Sequence, residues 1–144
     1  NNTKVYGAAL AKSASDNLFN EAGIESFTID KILSEYECGK IIFPKQSVLI
    51  VDESSQVSIS KLNSLLRLEN ENEVKLILVG DDKQLDAIEH GGSLRYLSLP
   101  EVIGATKIET IRRQREVWAK KTVADFRDGN ASTALENMSQ RGLI

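Results

Sequence analysis

The stretch V-L-I-V-D-E-S-S-Q-V, Val48 to Val57, decides how this chain folds. Four aliphatic residues end abruptly in two adjacent carboxylates, Asp52 and Glu53, followed by Ser54 and Ser55. An aliphatic run without in-out alternation marks a strand buried on both faces of a parallel sheet. Bare carboxylates inside such a strand are prohibitive. Asp52 and Glu53 therefore belong where the strand leaves the core, and something there must make neighbouring negative charges useful.

Two further runs read as buried strands: Val5-Tyr6-Gly7-Ala8-Ala9-Leu10, the weakest, and V-K-L-I-L-V from Val74 to Val79. Helical patterns lie between them. Ser13 to Ala22 sets Ala14, Leu18 and Ala22 four apart, with Gly23 as C-cap. Thr28 caps a short helix through Leu33, with Ile29, Ile32 and Leu33 on one face. Ser58 to Leu68 places Ile59, Leu62, Leu65 and Leu66 on a stripe. Gly39 to Lys45, with Pro44, reads as a loop. This alternation predicts an α/β fold, a parallel sheet with flanking helices in three layers. Downstream, the pattern predicts a helix after Gly91-Gly92 through Leu97 and a short fourth strand from Ala105 to Thr110. A helix from Glu116 to Arg127 follows, with Trp118 and Phe126 as core anchors, and Asn130 opens a last helix that ends near Gly142. No repeat or linker interrupts residues 1–144, so one compact domain is expected.

The composition fits a globular protein: 144 residues, 41% hydrophobic, 27% charged, net charge −3. That charge excludes a strongly basic nucleic-acid module, though not a local basic groove. The single cysteine, Cys38, excludes an intrachain disulfide and a cysteine-rich zinc site. No apolar run approaches the ~18 residues that span a bilayer, and no signal peptide is visible, so a cytoplasmic setting is expected.

Both of the clearer strands end in acids: Val51 runs into Asp52-Glu53, and Val79 into Gly80-Asp81-Asp82-Lys83-Gln84-Leu85. In open parallel sheets, ligands bind beyond the carboxyl ends of the strands. If the two strands are neighbours, four carboxylates and one amide share a crevice, and hard oxygen ligands of that kind suit Mg²⁺ held jointly with phosphate. Asp52 is then the candidate metal ligand and Glu53 the candidate base for an attacking water. Taken alone, either cluster reads equally well as a solvated loop. The basic run Arg112-Arg113-Gln114-Arg115 could clamp phosphate, and its plain alternative is a solvated charge run. His90 reads as a loop residue. Tyr36, Phe43 and Tyr96 could stack on bases, or simply pack.

Taken in order, V-Y-G-A-A-L-A-K-S-A-S-D-N-L, V-L-I-V-D-E-S-S-Q-V, L-I-L-V-G-D-D-K-Q-L-D-A-I-E-H-G-G and I-E-T-I-R-R-Q-R-E-V-W resemble successive motifs of RecD-like superfamily-one DNA helicases. The resemblance is strongest to the helicase region of TraA-type conjugative relaxases and runs from about Val5 to Ile144. It implies a RecA-like P-loop NTPase core using ATP and Mg²⁺ and acting on single-stranded DNA. Asp52 and Glu53 match the Walker B pair, metal ligand and water-activating base. Gln84 matches the glutamine that senses the γ-phosphate, and Asp81 the acid of that motif. Arg113 matches the arginine that reaches the γ-phosphate, with Arg112 as second choice. Ala9, Lys12 and Ser13 fall in the segment that meets single-stranded DNA, although Lys12-Ser13 stands where Gly-Lys is usual.

One expected part is missing from these residues: G-x-x-x-x-G-K-[ST] occurs nowhere, and Gly39-Lys40 is followed by Ile41-Ile42. The resemblance therefore implies an N-terminally truncated core whose partners are the missing P-loop segment and a second RecA-like domain. Without that phosphate cradle the isolated chain is expected to be inactive. Two other classes compete. A non-catalytic remnant of a helicase would also lack the P-loop. A receiver-like, Mg²⁺-binding phosphoacceptor would need an acidic pair near the first strand, which Val5 to Ala9 does not supply.

Overall fold

The computed structural model describes residues 3–40, 43–81, 93–108 and 114–144. Contacts divide the chain into two units, Asn1–Ala105 and Thr106–Ile144, where the sequence suggests one.

The first unit is built on four parallel strands. They are β1 (Val5–Ala9), β2 (Glu25–Thr28), β3 (Val48–Val51) and β4 (Lys75–Leu78), in the spatial order β2-β1-β3-β4. Helix α1 (Lys12–Ala22) joins β1 to β2, α2 (Ile29–Glu37) leads from β2 towards β3, and α3 (Ile59–Asn72) joins β3 to β4. A short helix, α4 (Ser93–Leu97), follows among the described residues. The α/β architecture with a parallel sheet and flanking helices is as the sequence predicts.

Strand β2 is the addition. Its residues, Glu-Ser-Phe-Thr, are too few and too polar to show a buried run, and it lies at the edge of the sheet. Thr28 closes this strand and at once caps α2, its Oγ1 accepting from the Lys31 amide at 3.3 Å. Pairing is close. In register, Gly7 lies opposite Ser26, and a Cβ on Gly7 would stand 2.3 Å from Ser26 Oγ. Only glycine fits there.

Register decides which side chains share a face. Tyr6 pairs with Leu49 and Ala8 with Val51, so all four project to one side of the sheet. That side holds the core, where they meet Ile29, Ile32 and Leu33 of α2 and Leu62, Leu65 and Leu68 of α3. Fully burying one such aliphatic side chain is worth about 1.5–3 kcal/mol. The other face carries Gly7, and Leu18 of α1 reaches to 3.2 Å of the point a Gly7 Cβ would occupy. The sheet is thus sandwiched between α1 and the α2–α3 layer.

The stripe on α3 is shifted from the one the sequence suggests. Leu62, Leu65 and Leu68 are buried, whereas Ile59 and Leu66 are exposed. Ser58 caps the helix, its Oγ accepting from the Lys61 amide at 3.5 Å. The helix runs on to Asn72 and stops at Glu73, which adopts a left-handed conformation.

The predicted strand at Ala105 to Thr110 is not formed over residues 105–108; Glu109 and Thr110 lie outside the described residues. In the second unit α5 (Val117–Arg127) packs against α6 (Ala131–Ser139). The anchors differ from expectation. Thr122 and Ala134 are the buried residues of these helices, Trp118 is half-buried beneath the Arg141 guanidinium at 4.9 Å, and Phe126 is 45% exposed. Among the described residues, no helix is long and apolar enough to cross a membrane.

Candidate functional site

Strands β3 and β4 are hydrogen-bonded neighbours, with Val51 opposite Leu78. Their carboxyl ends therefore leave the sheet side by side, and Asp52-Glu53 and Gly80-Asp81 emerge at the same edge. The backbone fixes this exit tightly. The Val79 amide donates to Val51 O at 2.8 Å, extending the β3–β4 ladder by one step. On the other side the Asp52 amide donates to Ala8 O at 2.9 Å, extending the ladder to β1.

Beyond Asp52 the chain turns sharply. Glu53 sits in the left-handed region, φ 49° and ψ 39°, and opens a 3₁₀ turn over Ser54–Gln56. For a residue with a Cβ that conformation costs about 1–2 kcal/mol. Hydrogen bonds on both sides of Glu53 hold it. Its own amide donates to Asp52 Oδ1 at 2.9 Å. Ser54 donates twice to the Val79 carbonyl oxygen, from its amide and from its hydroxyl, each at 2.8 Å.

The turn lies directly on the exit of β4. A Cβ at Gly80 would come within 3.0 Å of Ser54 Oγ, 3.1 Å of the Ser55 amide nitrogen and 2.7 Å of Leu94 Cδ2. Ser54 and Ser55 are both 3% exposed, and Ser55 Oγ has no hydrogen-bond partner. By contrast Glu53 is exposed and Asp52 half-exposed. The turn buries its serines and presents its acids.

The remaining predicted residues fare unevenly. Asp81 is described and half-exposed. Asp82, Gln84, His90, Arg112 and Arg113 lie outside the described residues. Ala9 is fully buried and presents no surface to a ligand; Lys12 and Ser13 are exposed at the start of α1, where the Lys12 ammonium pairs with Asp16. Phe43 packs in the core against Tyr6, ring centroids 4.8 Å apart, which removes it from any stacking surface. Tyr36 donates to Glu71, and Tyr96 is 62% exposed on α4.

Among the described residues, no group of three or more acidic, histidine or cysteine side chains could hold a metal ion. Mg²⁺ does not require such a group, being commonly held by one or two carboxylates together with water and substrate phosphates. Asp52 meets this need with hard oxygens, and only its Oδ1 is engaged by the turn. The sequence shows the acids but not what aims them, which is Ser54 and Gly80. The signal available was a small residue beside each acidic exit, Ser54 directly after Asp52-Glu53 and Gly80 directly before Asp81.

A family model described as an AAA domain matches residues 1–144. The chain is 36% identical over 132 residues to the conjugal transfer protein TraA of Agrobacterium fabrum strain C58, covering 92% of this chain and 12% of that protein. It is 34% identical over 131 residues to the conjugal transfer protein TraA of Rhizobium radiobacter, covering 91% of the chain and 12% of the relative. The chain thus spans about an eighth of the length of these relatives, the 12% just given. With the family match running over every residue, the chain belongs to the AAA domain family.

Proposed function

We propose that this chain is part of the first RecA-like core of an ATP-driven DNA helicase or translocase, within a conjugative-transfer relaxase. The observation that supports it most is the pairing of β3 with β4, which sets Asp52-Glu53 and Gly80-Asp81 at one sheet edge. Membership of the AAA domain family and the likeness to the TraA proteins point the same way.

In this reading Asp52 holds Mg²⁺, whose charge would stabilise the negative charge developing on the transferred phosphoryl. Glu53, exposed and carried on a fixed turn, takes the proton of the attacking water. Asp81 sits on the neighbouring exit, and Gln84 and Arg113 take the γ-phosphate-sensing and charge-stabilising roles that the resemblance assigns. Lys12 and Ser13, exposed at the start of α1, are the contacts offered to single-stranded DNA. These residues contain no phosphate-cradling G-x-x-x-x-G-K-[ST]. Nucleotide binding then requires that cradle from elsewhere.

The test compares this chain with a version extended upstream in its gene through such a motif. Single-strand-stimulated ATP hydrolysis is expected from the extended protein and not from the chain alone. Hydrolysis by the chain alone would refute the dependence on the cradle. An upstream sequence with no such motif would favour the non-catalytic remnant.

A further inference from the structure

We infer that Ser54 is a positioning residue for Glu53, locking the acid's turn to the exit of β4. This rests on the reading of Glu53 as the water-activating base.

Glu53 is exposed, its backbone is left-handed, and among the described residues its carboxylate makes no hydrogen bond or ion pair. A left-handed residue with a Cβ persists only when its surroundings over-determine it. Here the residue before it is tied to β1 through the Asp52 amide and Ala8 O. The residue after it is tied to β4 through Val79 O, which accepts both the amide and the hydroxyl of Ser54. Glu53 is thus pinned between two strands, and one of the pins is a side chain.

The other half of the lock is Gly80. Its missing Cβ is what lets Ser54 and Ser55 lie against the strand exit, since that atom would fall 3.0 Å from Ser54 Oγ and 3.1 Å from the Ser55 nitrogen. The Ser54 hydroxyl is buried, so its proton has no water to compete for it and the bond to Val79 O is the one it keeps. Through this bond, any movement of the strand exit that leads into Gly80-Asp81 is transmitted to Glu53. The lock therefore joins the two acidic exits mechanically, by a contact between their neighbours.

The experiment has two arms. In the chain as it stands, backbone amide exchange is followed by NMR for wild type, Ser54→Ala and Ser54→Thr. Loss of a single hydrogen bond predicts about fivefold faster exchange at Ser54 and Val57 in Ser54→Ala, with the amides of Leu49 and Ile50 unchanged and Ser54→Thr close to wild type. In the upstream-extended protein, Ser54→Ala is expected to lower kcat about fivefold or more at unchanged KM for ATP, with rescue by Ser54→Thr. Combined with Glu53→Gln it should add no further loss. If Ser54→Ala does not fold, Ser54→Cys, nearly isosteric with a weak donor, is read in the same way.

Unchanged exchange at the turn overturns the lock itself. A normal turn exchange pattern in Ser54→Ala with an additive kcat loss also overturns it. Faster exchange at the turn in an extended protein without any ATP hydrolysis leaves the lock standing and overturns the nucleotide reading instead.

Discussion

The carbonyl oxygen of Val79 accepts two hydrogen bonds from Ser54, one from the amide and one from the hydroxyl, both 2.8 Å long. That relationship explains why a strained acid stands where it does. Asp52 continues the sheet, Ser54 rejoins it one strand over, and Glu53 must bridge the two with a positive φ. The turn holds the Glu53 backbone at this edge at the expense of local strain.

That strain is measurable. Replacing Glu53 by Gly relieves the left-handed penalty, and net of glycine's own entropic cost the gain should be about 0.5–1 kcal/mol. Chemical denaturation of Glu53→Gly should show a higher midpoint than wild type with an unchanged slope. A lower midpoint would show that the carboxylate itself stabilises the turn.

The packing phase of α3 gives a second expectation. Leu65 is fully buried and its neighbour Leu66 is 40% exposed. Leu65→Ala should cost about 2–5 kcal/mol, and Leu66→Ala less than about 1 kcal/mol. Equal losses in thermal or urea unfolding would place the helix in a different rotation.

Near the far end of the same helix, Glu71 accepts the phenolic hydrogen of Tyr36, which lies on α2. That bond, followed by desolvation and the negative charge of Glu71, pushes the Tyr36 phenol above its ordinary value of 10.0. The sign follows from the neutral form being the one favoured. A pKa raised by folding stabilises the fold fully below pH 10, and that contribution fades as pH rises through the raised value. Ultraviolet titration of the phenolate, read as the difference between the chain and its Tyr36→Phe variant, should place Tyr36 above 10.0. Glu71→Gln should return it towards that value. An unchanged titration in Glu71→Gln would remove Glu71 as the cause.

How much of this was legible in the sequence depends on the kind of information each feature needs. Strands β1, β3 and β4 announced themselves as aliphatic runs, and the Thr28 cap as a polar residue before an apolar period. Strand β2 did not, because four residues of which three are polar carry no periodicity. The rotation of α3 leaves Ile59 and Leu66 exposed, since several leucines so close together fit more than one face. The size of Phe126 and Trp118 suggests anchors, whereas the α5–α6 pair buries Thr122 and Ala134, which are small enough for close helix approach. At the site, residue types revealed the acids, but Asp52 and Glu53 meet the exit of β4 only through long-range pairing. The Ser54–Val79 bond spans 25 positions and leaves no local pattern.

The most direct measurement is a single-turnover ATP hydrolysis assay on the upstream-extended protein with single-stranded DNA, comparing wild type and Glu53→Gln at saturating Mg²⁺. Removing a general base should slow the chemical step by about 10²–10⁴-fold, while the affinity for ATP stays within about threefold of wild type, a change of under 1 kcal/mol. A Glu53→Gln protein that turns over at the wild-type rate would contradict the assignment of this strand edge as the place where water is activated.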